Sequence, residues 1–190
     1  MPTSQAKDKL LAEAVGYALD HGITDLSLRE IAAAIGSSHR MLIYHFGSRQ
    51  GLLVEVAKAV EQSERSYLLE TMGEGDPKAF WLRIRDQRMW PQERLFFELY
   101  AHALLKRPGT EGFLNAIVDS WVTPVADALI EAGIDPEVAR AEARLSVAVG
   151  RGLLLDVLAT GDTGAVDAAF DRYVEGLMAR LNTSGPPTAT

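Results

Sequence analysis

The sequence contains no cysteine. Disulfide bonds, thiolate zinc sites and cysteine nucleophiles are therefore excluded. It also lacks any run of roughly 20 apolar residues, the length that a helix needs to span a bilayer. The first seven residues lack the apolar segment of a signal peptide. These absences predict a cytoplasmic protein that does not associate with a membrane.

Common catalytic motifs are missing as well. The chain has no G-x-S-x-G nucleophile motif and no phosphate-binding P-loop. Four histidines occur, none in a recognised metal-ligand spacing: His21, His39, His45 and His102. We therefore predict no metal, no other cofactor and no enzymatic activity, although a small helical enzyme remains an alternative.

Charge is distributed unevenly along the chain, whose formal net charge is −7. Residues 1–60 hold six basic and six acidic residues, and the other 130 hold thirteen and twenty. The N-terminal part is therefore less acidic than the rest without being a basic patch. If it binds DNA, non-specific affinity should be weak and sensitive to salt, and specific binding should need two copies.

The pattern of apolar residues and turn signals predicts an all-α fold of about nine helices. Hydrophobic residues make up 47% of the 190, enough for a real core. Among the later helices we predict Lys78–Trp90, Gly112–Ala132 with Pro124 inside, and a last one ending at Asn182. The segment from Thr71 to Pro77 predicts a loop.

Two short helices joined by a tight turn are predicted near the N-terminus. Ser27 and Glu30 form an S-x-x-E capping box, in which each side chain accepts a hydrogen bond from the other's backbone N–H. An apolar stripe follows with helical spacing, formed by Leu28, Ile31, Ala32 and Ile35. Gly36 ends this helix because glycine tolerates the left-handed conformation.

The second of these helices begins after a cap at Ser37 or Ser38. Its inward face is predicted to hold Met41, Leu42 and Phe46. The outward residues can all donate or accept hydrogen bonds and include no carboxylate: Ser38, His39, Arg40, Tyr44 and His45. Such a face suits phosphates and base edges, as in a helix-turn-helix that enters the major groove. A plain helical hairpin inside an α-domain is the alternative.

The stretch from about Lys9 to Leu53 resembles the N-terminal domain of the TetR family of transcriptional regulators. The matching segments are Ala14–Gly22, Ser27–Ala32, Gly36–Ser38, Leu42–Phe46, and Ser48 and Arg49 followed by Leu52 and Leu53. Two positions depart from the family pattern: Ile43 stands where tyrosine is usual, and Met41 stands where threonine is frequent. The resemblance covers about a quarter of the chain.

DNA contacts are predicted from two kinds of residue. Ser27, Ser37, Tyr44 and Arg49 are expected to hold phosphates, whereas His39, Arg40 and His45 face bases or nearby phosphates, and Ser38 shares this surface. Arg49 lies in the first turn of a helix, where N–H groups favour an anion. An exposed arginine without a ligand is the alternative for that position.

The resemblance implies a domain of residues 1–48 that binds a double-stranded DNA operator. Residues 49–182 would form an effector-binding and dimerisation domain, and residues 183–190 a disordered tail. A small apolar or aromatic effector is expected among the aromatic helices, near Trp81, Arg88, Trp90, Phe97, Tyr100, His102 and Trp121. The core of a helical bundle would explain the same aromatic residues without a ligand.

The last two helices carry small and apolar residues, including Gly150 and Gly152. By resemblance they pair with a second copy through Leu145, Val149, Leu153, Phe170, Tyr173 and Leu177. The alternative is that they only cover the bundle. The sequence therefore predicts a homodimeric, ligand-responsive repressor, with a helical protein-binding adaptor as a further alternative.

Overall fold

A computed structural model of the chain describes residues 2–73, 77–108, 110–115 and 117–184. These residues form nine α-helices and no strand, as the all-α prediction requires. The helices are α1 (Pro2–His21), α2 (Leu28–Ala34), α3 (His39–Phe46), α4 (Arg49–Gly73), α5 (Pro77–Ile84), α6 (Trp90–Leu104), α7 (Asp119–Glu131), α8 (Pro136–Thr160) and α9 (Thr163–Ser184). A 3₁₀ turn at Gln87–Met89 precedes α6.

Two predicted helices have different bounds in the structure. The segment predicted as Lys78–Trp90 breaks after α5, because the Oδ1 atom of Asp86 accepts the backbone N–H of Arg88 at 2.9 Å and starts the 3₁₀ turn. The helix predicted from Gly112 begins only at α7. Gly112 has a φ of +73°, a left-handed conformation that belongs to a turn.

Two predictions fall partly outside the described residues. The predicted loop from Thr71 to Pro77 includes residues 74–76, and the predicted disordered tail includes residues 185–190, all outside the described ranges. Helix α9 extends into the predicted tail as far as Ser184. Within the described ranges, no helix is both long and apolar enough to cross a membrane.

The chain divides into two compact units. The first contains Met1–Tyr67 and Asp86–Asn115, and the second contains Leu68–Arg85 and Ala116–Thr190. One boundary falls within α4, so this helix contributes to both units. The predicted division after residue 48 separates functions rather than compact units, and it stays a prediction.

In the first unit, α1 packs against α6, and α2 packs against α3. Its core is made of aliphatic and aromatic side chains from five helices and the segment after α6, among them Ala14, Ile31, Leu42, Leu52, Val56, Leu95, Leu99 and Phe113. Lys7 on α1 donates to Oε2 of Glu55 on α4 at 3.3 Å, and its ammonium lies 5.7 Å from the ring centroid of Phe46. These contacts link α1 to the last residue of α3 and to the second turn of α4.

In the second unit, α8 packs against both α7 and α9. A small core joins α7 to α8 through Val122, Ala126 and Ala143. Arg180 on α9 donates from Nε to Oε1 of Glu142 at 2.7 Å and from Nη2 to Oε2 at 2.9 Å. The Arg180 hydrogen bonds lower the pKa of the Glu142 carboxyl group. Because the pair has two parallel hydrogen bonds, it links α9 to α8 in one orientation.

Candidate nucleic-acid interface

The capping box predicted for α2 is present in the structure. The backbone N–H of Ser27 donates to Oε2 of Glu30 at 2.7 Å, and the N–H of Glu30 donates to the Ser27 hydroxyl oxygen at 3.3 Å. These hydrogen bonds lower the pKa of the Glu30 carboxyl group. The Ser27 oxygen thus accepts from the helix, and its own hydroxyl proton is left to donate to another oxygen.

The turn between α2 and α3 is closed by backbone hydrogen bonds. Gly36 has a φ of +66°, and the N–H of Ser37 donates to the carbonyl of Ala32 at 2.8 Å, the arrangement of a Schellman motif. Ser38 then caps α3, because its hydroxyl oxygen accepts the N–H of Met41 at 3.2 Å. Of the two predicted caps, Ser38 is the one used.

The outward surface of α3 differs from the prediction at one residue. Leu42 and Phe46 are buried, but Met41, predicted to face inward, is 39% exposed. The apolar spacing of eight residues allowed both positions, and in the structure it is Leu42 that is buried. Tyr44 is 69% exposed, and Ser38, His39 and Arg40 are also exposed.

His45 lies at the edge of this surface. Its side chain is half-buried, and its ring makes edge contacts with Tyr44 at 4.9 Å and Phe46 at 6.4 Å between centroids. Its Nε2 atom is buried and has no hydrogen-bond partner within the described ranges. The buried nitrogen faces protein, so only the rest of the ring is available to DNA.

Arg49 is half-buried at the start of α4 and holds the loop between α1 and α2. Its Nε donates to the carbonyl oxygen of Leu26 at 2.6 Å, and its Nη2 donates to that of Thr24. Two of its five donors are therefore engaged in the protein. The predicted phosphate contact, which the remaining donors would have to make, stays a prediction.

Sequence reasoning missed the role of Gly51 in placing α3. A methyl group at Gly51 would collide with the backbone carbonyl oxygen of Phe46, the last residue of α3. The Ser48 hydroxyl oxygen accepts the N–H of Gly51 at 3.0 Å and caps α4. The sequence shows only a glycine near the start of a helix, and this does not reveal how closely Gly51 approaches the Phe46 carbonyl.

The residues predicted to bind an effector fall in both compact units. Arg88, Trp90, Phe97, Tyr100 and His102 belong to the first. Arg88 is exposed and binds the Asp86 carboxylate through Nε at 3.0 Å and Nη2 at 2.9 Å. The other four are half-buried, and Phe96 brings Phe97 and Tyr100 together with centroid separations of 5.2 and 5.6 Å.

Trp81 and Trp121 belong to the second unit. Trp81 is buried, stacks on Phe170 with ring centroids 4.7 Å apart, and donates its indole N–H to Oδ1 of Asp167 at 2.8 Å. Trp121 is half-buried, with its ring centroid 6.0 Å from that of Phe80. The ring and indole N–H of Trp81 are thus already used in packing.

A buried acid on α6 was also missed from the sequence. Burial, together with the charges of Glu64 and Glu61, raises the pKa of Glu93 to about 8. Glu93 precedes Phe97 by one helical turn, so a largely protonated carboxyl group accompanies the aromatic side chains of α6 at neutral pH. Its position within an apparently polar stretch, Gln92-Glu93-Arg94, gave no sign of burial.

The residues predicted for dimerisation lie on α8 and α9. Leu145 is 43% exposed, and Val149, Leu153, Phe170, Tyr173 and Leu177 are half-buried. Tyr173 and Ser146 share a hydrogen bond of 2.5 Å between their hydroxyl oxygens, and burial raises the Tyr173 pKa. A Cβ built on Gly150 or Gly152 meets nothing within 4 Å among the residues that the structure describes. Both glycines therefore leave open space beside α8.

Comparison with known proteins identifies the class of the N-terminal domain. Residues 10–56 match the model of the family described as bacterial regulatory proteins, tetR family. This match contains the capped α2, the turn and α3, so the domain is a regulatory helix-turn-helix. The match places residues 10–56, about a quarter of the 190 residues, in the tetR family of regulatory domains. The comparison with curated proteins finds no match.

Solved structures share the fold over most of the chain. A transcriptional regulator from Rhodococcus sp. Rha1 is 19% identical with a TM-score of 0.65, covering 94% of this chain and 95% of its own. NalD from Pseudomonas aeruginosa, the secondary repressor of the MexAB-OprM multidrug efflux pump, is 16% identical with a TM-score of 0.56. The match covers 93% of this chain and 96% of NalD. The multidrug binding protein EbrR, in complex with imidazole, is 24% identical with a TM-score of 0.57. The match covers 98% of this chain and 93% of EbrR.

Proposed function

We propose that this regulator is a repressor that binds a near-palindromic operator as a homodimer and leaves it when a small apolar or aromatic effector binds. The observation that carries the DNA-binding part is the outward surface of α3. Arg40 and Tyr44 are exposed there on a helix capped at Ser38, and α3 contains no carboxylate. Hydroxyl, imidazole and guanidinium groups on such a surface suit phosphates and base edges.

Each predicted contact residue has a separate task on the DNA. Arg40 presents a two-pronged donor for a guanine edge, and it is the best candidate for direct sequence readout. Ser27, Ser37 and Tyr44 hold phosphates and set the register of the helix. His39 and the open part of His45 contact bases or nearby phosphates, and the free donors of Arg49 add a phosphate contact.

Homodimerisation is supported by the open side of α8. Ala141, Leu145, Ala148, Gly152 and Leu155 are exposed and recur with helical spacing, so they form one apolar stripe of mostly small side chains. Leu155 is 50% exposed, and Met178 on α9 is 46% exposed. A second copy of the same stripe can approach closely and bury these groups, and two helix-turn-helix domains then bind one operator.

The effector is expected at the aromatic side of α6. Phe97 and Tyr100 are half-buried beside Phe96, and Phe113 lies 6.3 Å from Phe96 between ring centroids. Aromatic side chains with few polar groups are typical of small-molecule sites. Glu93 supplies a neutral hydrogen-bond donor at pH 7. The descriptions of EbrR as a multidrug binding protein and of NalD as a repressor support this part by analogy only.

DNA binding is tested with the region upstream of the gene that encodes this chain. Purified protein is titrated onto fragments of that region, and Arg40→Ala is compared with Arg107→Ala. Both changes remove one positive charge from the same compact unit. Arg107 is exposed but lies outside the helix-turn-helix, so it serves as the control. We expect Arg40→Ala to lose about 1–3 kcal/mol of discrimination at one base pair and Arg107→Ala to keep it. Unchanged affinity and preference in Arg40→Ala would remove that residue from the interface.

The effector is tested by a thermal-shift screen of apolar and aromatic compounds. A true effector raises the melting temperature of the wild type and of Tyr17→Ala, which alters an aromatic residue of α1, but not of Phe97→Ala. The same compound should release the protein from its operator. Compounds that bind equally to Phe97→Ala would place the effector elsewhere in the chain.

A further inference from the structure

Helix α3 exposes a large apolar side chain, Met41, to solvent. Met41 is 39% exposed, whereas Leu42 and Phe46 of the same helix are fully or nearly buried. Single exposed apolar residues are common on protein surfaces, so exposure alone decides nothing. The position of Met41 in the helix is what gives its exposure a meaning.

Met41 lies in the first turn of α3, between Arg40 and Tyr44 of the proposed interface. Its backbone N–H donates to the Ser38 hydroxyl oxygen at 3.2 Å, and in the sequence it follows Arg40 by one residue and precedes Tyr44 by three. Recognition helices contact base edges mainly with their N-terminal residues. Met41 is therefore placed where a base edge is expected if α3 enters the major groove.

Ile43 offers a comparison within the same helix. It is 41% exposed, close to the value for Met41, but it lies two residues further from the N-terminus. Two residues correspond to about 160° of separation around a helix, so the two side chains flank the outward face on opposite sides. Ile43 lies beyond the first turn of α3, further from the N-terminal residues with which recognition helices contact base edges.

We propose that Met41 recognises a thymine in each operator half-site by contact with its C5-methyl group. The thymine methyl is the apolar group that base pairs present in the major groove. A thioether side chain is flexible and polarisable enough to cover it beside the base contacted by Arg40. This inference rests on the proposed DNA-binding function and adds a specificity that hydrogen-bonding residues alone would not provide.

The test uses the operator defined by footprinting. Each thymine of a half-site is replaced in turn by deoxyuridine, which removes only the methyl group and keeps the base pair. For the wild type we expect affinity to fall about three- to fivefold at one position per half-site, the effect of one methyl group leaving an apolar contact. Met41→Ala and Met41→Gln should bind the thymine and uracil duplexes alike, and Ile43→Ala should still distinguish them.

The outcomes separate the two proposals. If the wild type protects a site but uracil has no effect at any thymine, or if Met41→Ala and Met41→Gln keep the full effect, the role of Met41 is disproved while DNA binding stands. If no site is protected at all, both proposals fail. Circular dichroism of the two variants establishes that they fold, and because Met41 is exposed we expect their spectra to match the wild type.

Discussion

The Nε atom of Arg49 donates a hydrogen bond of 2.6 Å to the carbonyl oxygen of Leu26, across 23 residues of the chain. With its Nη2 bond to Thr24, the side chain ties the start of α4 to the loop that precedes α2. The orientation of α2 and α3 therefore depends on a residue that also lies at the proposed DNA surface. Its two roles can be separated by substitution.

Arg49→Lys keeps the charge but loses the planar pair of donors, so the loop loses its clamp. We expect the free energy of unfolding in urea to fall by about 1–3 kcal/mol, the range for hydrogen bonds from a charged group. Arg49→Ala should lower the free energy of unfolding by a similar amount. It should also lower the slope of log affinity against log salt by about one, because a phosphate contact is lost. Arg65→Lys, the same change further along α4, is the control. A Lys variant as stable as the wild type would contradict the clamp.

Gly51→Ala should destabilise the helix-turn-helix. The added methyl group meets the carbonyl oxygen of Phe46, which is backbone and cannot swing away. We expect a loss of about 1–3 kcal/mol by urea unfolding, the usual effect of overpacking. Gly16→Ala is the matched control. Gly16 lies within α1, and a Cβ built on it meets nothing within 4 Å in the described part of the chain, so the change should stabilise the protein by up to about 1 kcal/mol. If Gly51→Ala leaves the free energy of unfolding unchanged, the close contact between Gly51 and the Phe46 carbonyl does not fix α3.

Stability should decrease with pH because of Glu93. Its pKa is about 4.5 when exposed and about 8 in the folded protein. Between these values the folded state holds a proton that the unfolded state has released, so the free energy of unfolding falls by up to about 1.4 kcal/mol per pH unit as pH rises, and the decline ends above pH 8. Urea unfolding at pH 6 to 9 measures it.

Glu93→Gln replaces the titrating carboxyl group with an amide and should flatten the decline of stability between pH 6 and 9. The variant should therefore be more stable than the wild type at pH 9. Glu98→Gln, a half-buried position on the same helix, should leave the decline as it is. Equal pH dependence of the wild type and Glu93→Gln would mean that Glu93 does not titrate in this range.

The dimer surface can be disrupted from α8. Leu145→Glu places a charge on the proposed stripe, and burying it against a second copy would be costly. We expect light scattering at micromolar concentration to give the mass of a dimer for the wild type and of a monomer for Leu145→Glu. Leu104→Glu, at a 62% exposed position on α6, should remain dimeric. A monomeric wild type would refute the dimer itself.

Local signals predicted the helix-turn-helix well. Ser27, Glu30, Gly36 and Ser38 act on residues within four positions of themselves, so their spacing in the sequence is sufficient to predict the caps and the turn. The family model independently matches this segment. The positions of Leu42 and Phe46 inside the unit followed from the same periodicity.

Contacts between distant residues were not predictable in this way. The partners of Arg49 lie 23 and 25 residues away, and the charges that help to raise the pKa of Glu93 belong to Glu61 and Glu64 on α4. Met41 and Leu42 were both acceptable inward residues, because eight positions contain only two turns of apolar spacing. The predicted effector residues were chosen by type alone, and the compact units divide them.

The central claim is that two copies of α3 bind successive major grooves. Footprinting of the DNA upstream of the gene, at low ionic strength, tests it most directly. The predicted result is a pair of protected half-sites related by approximate two-fold symmetry, with centres separated by about 10–10.5 base pairs or a multiple of this. Protection should disappear at high salt. A promoter region with no protected segment at any protein concentration would contradict the account.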